Sequence, residues 1–275
     1  MTDVSLYFIT SLLYAALGLH AWSGNSFAHP NAAATDRSSG WEGWQRFAAP
    51  VVLALHAALL YRSLFTPAGL ELGLGNALSL IAWVSVLIYW VGSFRYPLGF
   101  MQTLVLLLAA VLALLPYLMP GAKAVSYAGM TAFRVHLVIA LLAYGLFTLA
   151  ALHAVLMAFL ERRLHGGNLP PLLRGMPSLL TMEKMLFQMI LAGFILLTAT
   201  LLSGIFFSER LFGQPLRFTQ KNVFAFLSWG IFAALLAGRQ TYGWRGRVAV
   251  RWTLAGFAAL LLAYVGSKIA LEVIS

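Results

Sequence analysis

The chain has 275 residues, of which 61% are hydrophobic and only 9% are charged. Soluble domains contain about 25% charged residues, so this composition excludes a soluble enzyme, a secreted disulfide scaffold and a disordered protein. The absence of cysteine excludes disulfides, iron–sulfur clusters and thiolate zinc sites. Lys and Arg number 18 against 8 Asp and Glu, but they are spread between apolar runs. This pattern indicates orientation in a membrane and not nucleic-acid binding.

Eight apolar segments predict membrane-spanning helices, because a helix needs about 20 residues to cross the hydrocarbon core. In chain order they are Val4–Trp22, Phe47–Phe65, Ala77–Phe94, Leu98–Met119, Phe133–Leu160, Met185–Phe207, Val223–Ala237 and Val248–Val273. The connectors are too short to fold independently. The sequence therefore predicts an all-α, polytopic membrane helix bundle with eight transmembrane helices, in which residues 1–275 form a single transmembrane domain.

The Lys and Arg residues predict the orientation of this bundle. With eight spans, one side carries 11 of them and the other side carries 7. The positive-inside rule places the richer side in the cytoplasm, so both termini are predicted to be periplasmic. No Lys or Arg precedes Val4–Trp22, and we therefore expect a retained helix there and not a cleaved signal peptide.

Acidic residues and short catalytic motifs give no candidate for catalysis. All eight acidic residues lie at span ends or in connectors, so no span carries the mid-membrane carboxylate expected of a proton-coupled transporter. The chain has no phosphate-binding glycine loop, no His-Glu-x-x-His motif and no Gly-x-Ser-x-Gly elbow. We assign no catalytic residue.

Four of the six histidines have an ordinary explanation. His29 and His165 fall in connectors, where we expect them to be solvated. His20 and His153 fall near the cytoplasmic ends of their helices, where an imidazole interacts with interfacial water.

The other two histidines are candidate ligands. His56 lies six residues before Arg62, roughly 9 Å from the outer boundary of its span. An imidazole at that depth needs either a hydrogen-bond partner on a neighbouring helix or a metal, and the sequence favours neither alternative over the other. His136 opens the fifth span at the outer interface, where by itself it is typical of an interfacial residue. Neutral imidazole also suits haem iron.

At these residues the sequence resembles the cytochrome c assembly superfamily. The stretch from Arg134-Val135-His136 to Tyr144-Gly145 is similar to a helix start in that family. The segment 212–222, FGQPLRFTQKN, followed by Phe224–Trp229, FAFLSW, resembles its outer tryptophan-rich segment. The glycine, the lysine and the Ala-Phe-x-x-Trp pattern are present, whereas three tryptophans and an aspartate are replaced.

The resemblance extends over nearly the whole chain and is nearest to the HemX-like branch, in particular to YpjD-type inner-membrane proteins. Residues 176–183, MPSLLTME, residues 243–247, GWRGR, and residues 262–268, LAYVGSK, carry it. The resemblance implies a multi-pass protein of the bacterial inner membrane that handles haem.

The resemblance also implies which residues would hold haem. His136 matches the first outer haem ligand of the family, and His56 matches its first histidine within the membrane. Ala237 stands where the second membrane histidine is expected, and the second outer histidine would follow the last span, where the sequence stops at Ser275. Two of the four haem ligands of the family are unmatched. We therefore do not expect this chain alone to attach haem to apocytochrome c, as the better-known members of the family do.

These observations predict a haem-binding or haem-handling protein without catalysis of its own. We expect haem b to be bound in the outer half of the bundle, and we expect the site to draw on seven residues: His56 and His136 as iron ligands, Lys221 beside a propionate, and Phe212, Phe218, Phe224 and Trp229 as cover. The expected partners are the lipid bilayer and other membrane proteins of cytochrome c or haem metabolism. The alternatives are a non-haem membrane scaffold or regulatory subunit, and, less favoured, a small-solute or ion transporter.

Overall fold

The structure is a computed structural model that describes residues 2–27, 44–67, 69–96, 98–120, 125, 128–165, 177–212 and 219–266. Within these ranges the regular secondary structure is helical except for one short hairpin. The helices are α1 Thr2–Phe27, α2 Gln45–Leu64, α3 Leu74–Ser93, α4 Gln102–Leu112, α5 Leu115–Leu118, α6 Thr131–His165, α7 Leu179–Phe212, α8 Gln220–Tyr242 and α9 Arg247–Leu261. A 3-10 turn, Gly99–Met101, precedes α4, and a π-helical segment, Leu262–Gly266, follows α9.

Seven helices in the described ranges are long and apolar enough to cross a membrane. They are α1, α2, α3, α6, α7, α8, and α9 together with the π-helical segment. The prediction of an all-helical, polytopic bundle is thereby confirmed. The count of eight spans is not confirmed, and the periplasmic placement of the termini stays a prediction.

The predicted fourth span, Leu98–Met119, is interrupted in the structure. Helix α4 ends at Leu112, and α5 resumes for one turn at Leu115. In a continuous helix the residue at position 116 would donate its backbone N–H to the carbonyl of Leu112, but proline has no N–H. Pro116 therefore explains why this apolar segment forms two short helices, α4 and α5, and not one of spanning length.

The chain divides into two compact units: unit 1 comprises residues 1–126 and 159–178, and unit 2 comprises residues 127–158 and 179–275. In unit 1, α4 packs on α1 and α3, and α2 packs on α3. Strands β1, Phe65–Thr66, and β2, Gly69–Leu70, form an antiparallel hairpin between α2 and α3. The single transmembrane domain predicted for residues 1–275 stays a prediction.

Unit 2 is centred on two stacked phenylalanines. Phe147 of α6 and Phe232 of α8 lie with ring centroids 4.0 Å apart, and both rings are fully buried. Gly193 of α7 backs Phe147, and Gly256 of α9 backs Phe232. A Cβ atom at Gly256 would lie 2.8 Å from the Phe232 ring. Glycine at this position is what allows α8 and α9 to approach each other so closely.

Helix α8, which carries three of the predicted site residues of this unit, has defined ends. Thr219 caps its first turn, because the Thr219 hydroxyl oxygen accepts a hydrogen bond from the backbone N–H of Asn222. Gly243 ends the helix in the left-handed region, with φ of 66°.

Candidate functional site

His136 lies one turn inside the first residue of α6, with its ring against α7. Its Nδ1 atom is 2.8 Å from the hydroxyl oxygen of Ser203. A Cβ atom added to Gly204 would lie 3.5 Å from Cε1 of the His136 ring. The ring is therefore held on the side of Nδ1 by a residue of the neighbouring helix.

The hydrogen bonds of Ser203 favour one tautomer of His136. The Ser203 hydroxyl is positioned to donate to the backbone carbonyl of Thr200, at 3.0 Å. In that arrangement its oxygen accepts from Nδ1 of His136, and Nε2 of His136 carries the lone pair. Iron-binding histidines use this arrangement, in which a partner on one nitrogen fixes the ring and the other nitrogen is the ligand.

Lys221, in the first turn of α8, is close enough to the His136 ring for the two side chains to interact electrostatically. Both residues therefore belong to the same end of unit 2. Lys221 is exposed. An exposed ammonium group attracts an anionic group such as a carboxylate.

Trp229 lies two turns further along α8 and contacts α7. Its indole N–H donates to the hydroxyl of Thr198 at 2.9 Å, and its ring stacks on Phe194 with centroids 5.5 Å apart. Phe224 is half-buried on the same helix. Phe212 is the last residue of α7 and its side chain is not described, and Phe218 lies outside the described residues.

His56 belongs to unit 1, where it is 1% exposed between α1 and α3. Its Nε2 atom is 2.9 Å from the Ser79 hydroxyl, and its Nδ1 atom is 3.3 Å from the Tyr14 hydroxyl. Both ring nitrogens therefore have protein partners, which is the packing arrangement that the sequence left open as the alternative to a ligand. A ligand role for His56 stays a prediction.

His153 differs from the sequence-based expectation. It was expected to interact with interfacial water, but the side chain is fully buried and its Nε2 atom is 2.7 Å from the backbone carbonyl of Met182. This expectation is wrong because the start of α7 covers this turn of α6. His20 is exposed, as expected, and its ring packs edge-on against Trp44.

Sequence reasoning missed three residues that contact the candidate ligand or its neighbours: Ser203, Thr198 and Phe194. The signal for the first two was present, since hydroxyl residues are few in the leucine-rich middle of α7. No group of three or more His, Asp or Glu residues suited to a metal ion occurs in the described ranges. A haem iron, which needs only one or two protein ligands, fits the donors present better than a bare metal ion does.

Comparison with known proteins identifies the family of the chain. The family model described as Cytochrome C assembly protein matches residues 44–275. Inner membrane protein YpjD of Escherichia coli strain K12 is 28% identical over 241 residues, which are 87% of this chain and 90% of that protein. The cytochrome c biogenesis protein CcsA of Prochlorococcus marinus is 32% identical in strain NATL1A and 34% identical in strain MIT 9215, over 85 residues in each case.

The matches differ in extent. The CcsA alignments cover 31% of this chain and only 27% and 28% of those two proteins, whereas the YpjD alignment and the family match cover most of the chain. The chain belongs to the cytochrome c assembly protein family. It is a multi-pass protein of the bacterial inner membrane, in agreement with its seven apolar helices.

Proposed function

From this family membership we propose that the chain is a haem-binding component of the inner membrane, with His136 as an iron ligand through Nε2. The observation that carries the proposal is the hydrogen-bond relay from His136 through Ser203 to the carbonyl of Thr200. A histidine that served only as an interfacial residue would need no side-chain partner on a neighbouring helix to fix its ring. The proposed group is haem b, since the chain has no cysteine for covalent attachment.

The other side chains of the site have roles that their chemistry suits. Lys221 would pair with a propionate, because its ammonium group is exposed and its charge acts on the His136 ring. Trp229 and Phe224 would cover part of the porphyrin face from α8, with Phe212 and Phe218 as the predicted further cover. The residues of this chain bind and orient haem in this proposal, and no step of haem chemistry is assigned to them.

The sequence predicts His56 as a second ligand to the iron. For His56 to bind iron through Nε2, it would have to give up its hydrogen bond to Ser79. A spectrum distinguishes the two cases, because two histidines give a six-coordinate low-spin iron and one histidine gives a five-coordinate iron.

The test is the absorption spectrum of the full chain, expressed with ample haem precursor and purified in mild detergent. We expect a Soret band that is lost in His136→Ala and weakened or shifted in Ser203→Ala. Ser228→Ala is the matched control, because it also removes a hydroxyl that donates to a backbone carbonyl in unit 2, at 2.8 Å from Gly256, without touching His136. A wild-type chain that never binds haem, or a His136→Ala variant with an unchanged spectrum, would refute the proposal.

The second candidate is a non-haem membrane scaffold or regulatory subunit, and one observation favours it. The indole N–H of Trp229 is already used by Thr198, and its ring by Phe194, so this residue has a complete packing role without any cofactor. A folded wild-type protein without a Soret band would favour this candidate.

A further inference from the structure

The end of unit 2 opposite His136 carries a concentration of positive charge. Helix α7 begins there, α8 ends there, and α9 begins there. We call this the basic end; its described basic residues are Lys184, Arg239, Arg245, Arg247 and Arg251. Glu183 is the only acidic residue among the described positions of these helix ends.

The carboxylate of Glu183 is engaged by the connector between α8 and α9. Its Oε2 atom accepts a hydrogen bond from the backbone N–H of Gly246 at 3.2 Å, and its Oε1 atom is 3.8 Å from Nε of Arg245. Gly246 has φ of 54°, which favours glycine at this turn. The one carboxylate of the basic end therefore orders the connector and does not neutralise the end as a whole.

Arg239, in the last turn of α8, is a basic residue of this end whose charge Glu183 does not contact. Its guanidinium carbon lies 3.7 Å from the centre of the Phe187 ring, so the group is stacked on α7. Its Nη1 atom is buried and has no hydrogen-bond acceptor among the described residues. A buried guanidinium nitrogen without an acceptor costs free energy, and the Arg239 side chain as a whole is only half-buried, so an anionic oxygen that reaches the guanidinium group from outside the chain would stabilise its charge.

The side chains around Arg239 indicate that such an oxygen would come from the membrane surface. Lys184 is exposed and precedes Phe187 by three residues, so it lies on the same face of α7 as the ring under Arg239. The Trp244 indole covers Gly238 and stacks near Tyr242 and Trp252. Tryptophan and tyrosine concentrate at the membrane–water interface, where lipid headgroups lie. Arg239 is one turn inside Tyr242, on the membrane side of this aromatic group.

We propose that the basic end binds the phosphate of an anionic phospholipid, held by the guanidinium group of Arg239 and the ammonium group of Lys184. An arginine fork and a nearby ammonium are suited to a phosphate diester, and basic pockets between helices at the membrane surface bind such headgroups. The remaining arginines of the basic end add attraction for an anionic lipid over a zwitterionic one. This site is separate from the proposed haem site and does not depend on haem.

Native mass spectrometry of the full chain in detergent tests the proposal, with phosphatidylglycerol as the probe and phosphatidylcholine as the zwitterionic control. A charge-assisted hydrogen bond is worth roughly tenfold in affinity. We expect Arg239→Gln to weaken phosphatidylglycerol binding by about tenfold and to leave phosphatidylcholine binding unchanged. Arg251→Gln is the matched control, because it removes one positive charge from the same end at an exposed position, and we expect a change below about twofold.

Three results would overturn the proposal. The first is an equal loss of affinity in Arg239→Gln and Arg251→Gln, which would mean that only overall charge attracts the lipid. The second is equal binding of the two lipids by the wild type. The third is saturation and displacement of the lipid by inorganic phosphate at matched concentration, which would assign the site to a free anion. If Arg239→Gln does not fold, exposed Lys184→Gln provides the same comparison with Arg251→Gln, with an expected loss of about threefold.

Discussion

A methyl group added at Gly256 is expected to destabilise unit 2, because the Phe232 ring has no direction in which to move. The new Cβ atom would lie 2.8, 2.9 and 3.1 Å from three ring carbons of Phe232. Phe232 is stacked on Phe147 at 4.0 Å, and Phe147 in turn lies against Gly193. The two rings and two glycines therefore form one continuous stack across four helices.

The magnitude follows from two opposing terms. Overpacking a rigid core site costs about 1–3 kcal/mol. Replacing glycine by alanine inside a helix stabilises it by roughly 0.5–1 kcal/mol. Since both flanking rings are fully buried, we expect the upper part of the first range, and a net loss of roughly 1–2 kcal/mol for Gly256→Ala.

Unfolding of the purified chain in mixed detergent micelles, followed by tryptophan fluorescence, measures this difference. Gly230→Ala is the matched control, because Gly230 lies in the interior of α8 and an added Cβ meets nothing within 4 Å. We expect Gly230→Ala to be neutral or stabilising. The losses of Gly256→Ala and Phe232→Leu should be less than additive in the double variant, since the smaller side chain leaves room for the methyl group. If Gly256→Ala is as stable as Gly230→Ala, the close packing of α8 on α9 at Gly256 is refuted.

Three further predictions concern the rest of the chain. Trp229→Phe keeps an aromatic ring but removes its hydrogen bond to α7, so we expect a loss of about 1 kcal/mol in the same unfolding assay; a loss above about 3 kcal/mol would mean that the ring's packing, and not this hydrogen bond, dominates. Glu183→Gln should lower the free energy of unfolding by less than about 1 kcal/mol, because the nearby Arg245 is 68% exposed and its ion pair is weak. Glu183→Ala should lower it by about 1–3 kcal/mol, because the backbone N–H of Gly246 loses its acceptor. Equal losses in the two variants would contradict this reasoning. Single cysteines at Gly167 and Gly213 should be labelled from opposite sides of the membrane, with only position 213 accessible to an impermeant thiol reagent in intact spheroplasts; labelling of position 167 alone would invert the predicted orientation.

Much of the architecture follows from one-dimensional properties of the sequence. Seven of the predicted spans overlap helices of spanning length because continuous apolar composition is a local signal. The interruption of the helix at Leu112 could also have been predicted, since Pro116 stands four residues later. Hydropathy averaged over the whole segment conceals this signal. His153 shows where local reasoning fails, because its burial depends on a helix that begins 26 residues further along the chain.

The candidate site could be predicted from the sequence only in part, because some of its contacts also depend on other helices. His136, Lys221 and Trp229 stand out by residue type and by the family resemblance. Their partners Ser203 and Thr198 come from another helix, and serine and threonine in a span are usually bonded to their own helix. Only the packing of α6 and α8 against α7 shows that these two hydroxyls face a histidine and a tryptophan.

Helix α6 has 35 residues, so its axis is roughly 52 Å long against a hydrocarbon core of about 30 Å. Its exposed arginines Arg134 and Arg162 are 28 positions apart, about 42 Å along that axis. The helix is therefore long enough to span the hydrocarbon core at a tilt of up to about 40°, or to span a membrane several ångströms thicker, with both guanidinium groups outside the hydrocarbon. Its length thus makes the chain compatible with bilayers of different thickness without placing either charge in the apolar layer.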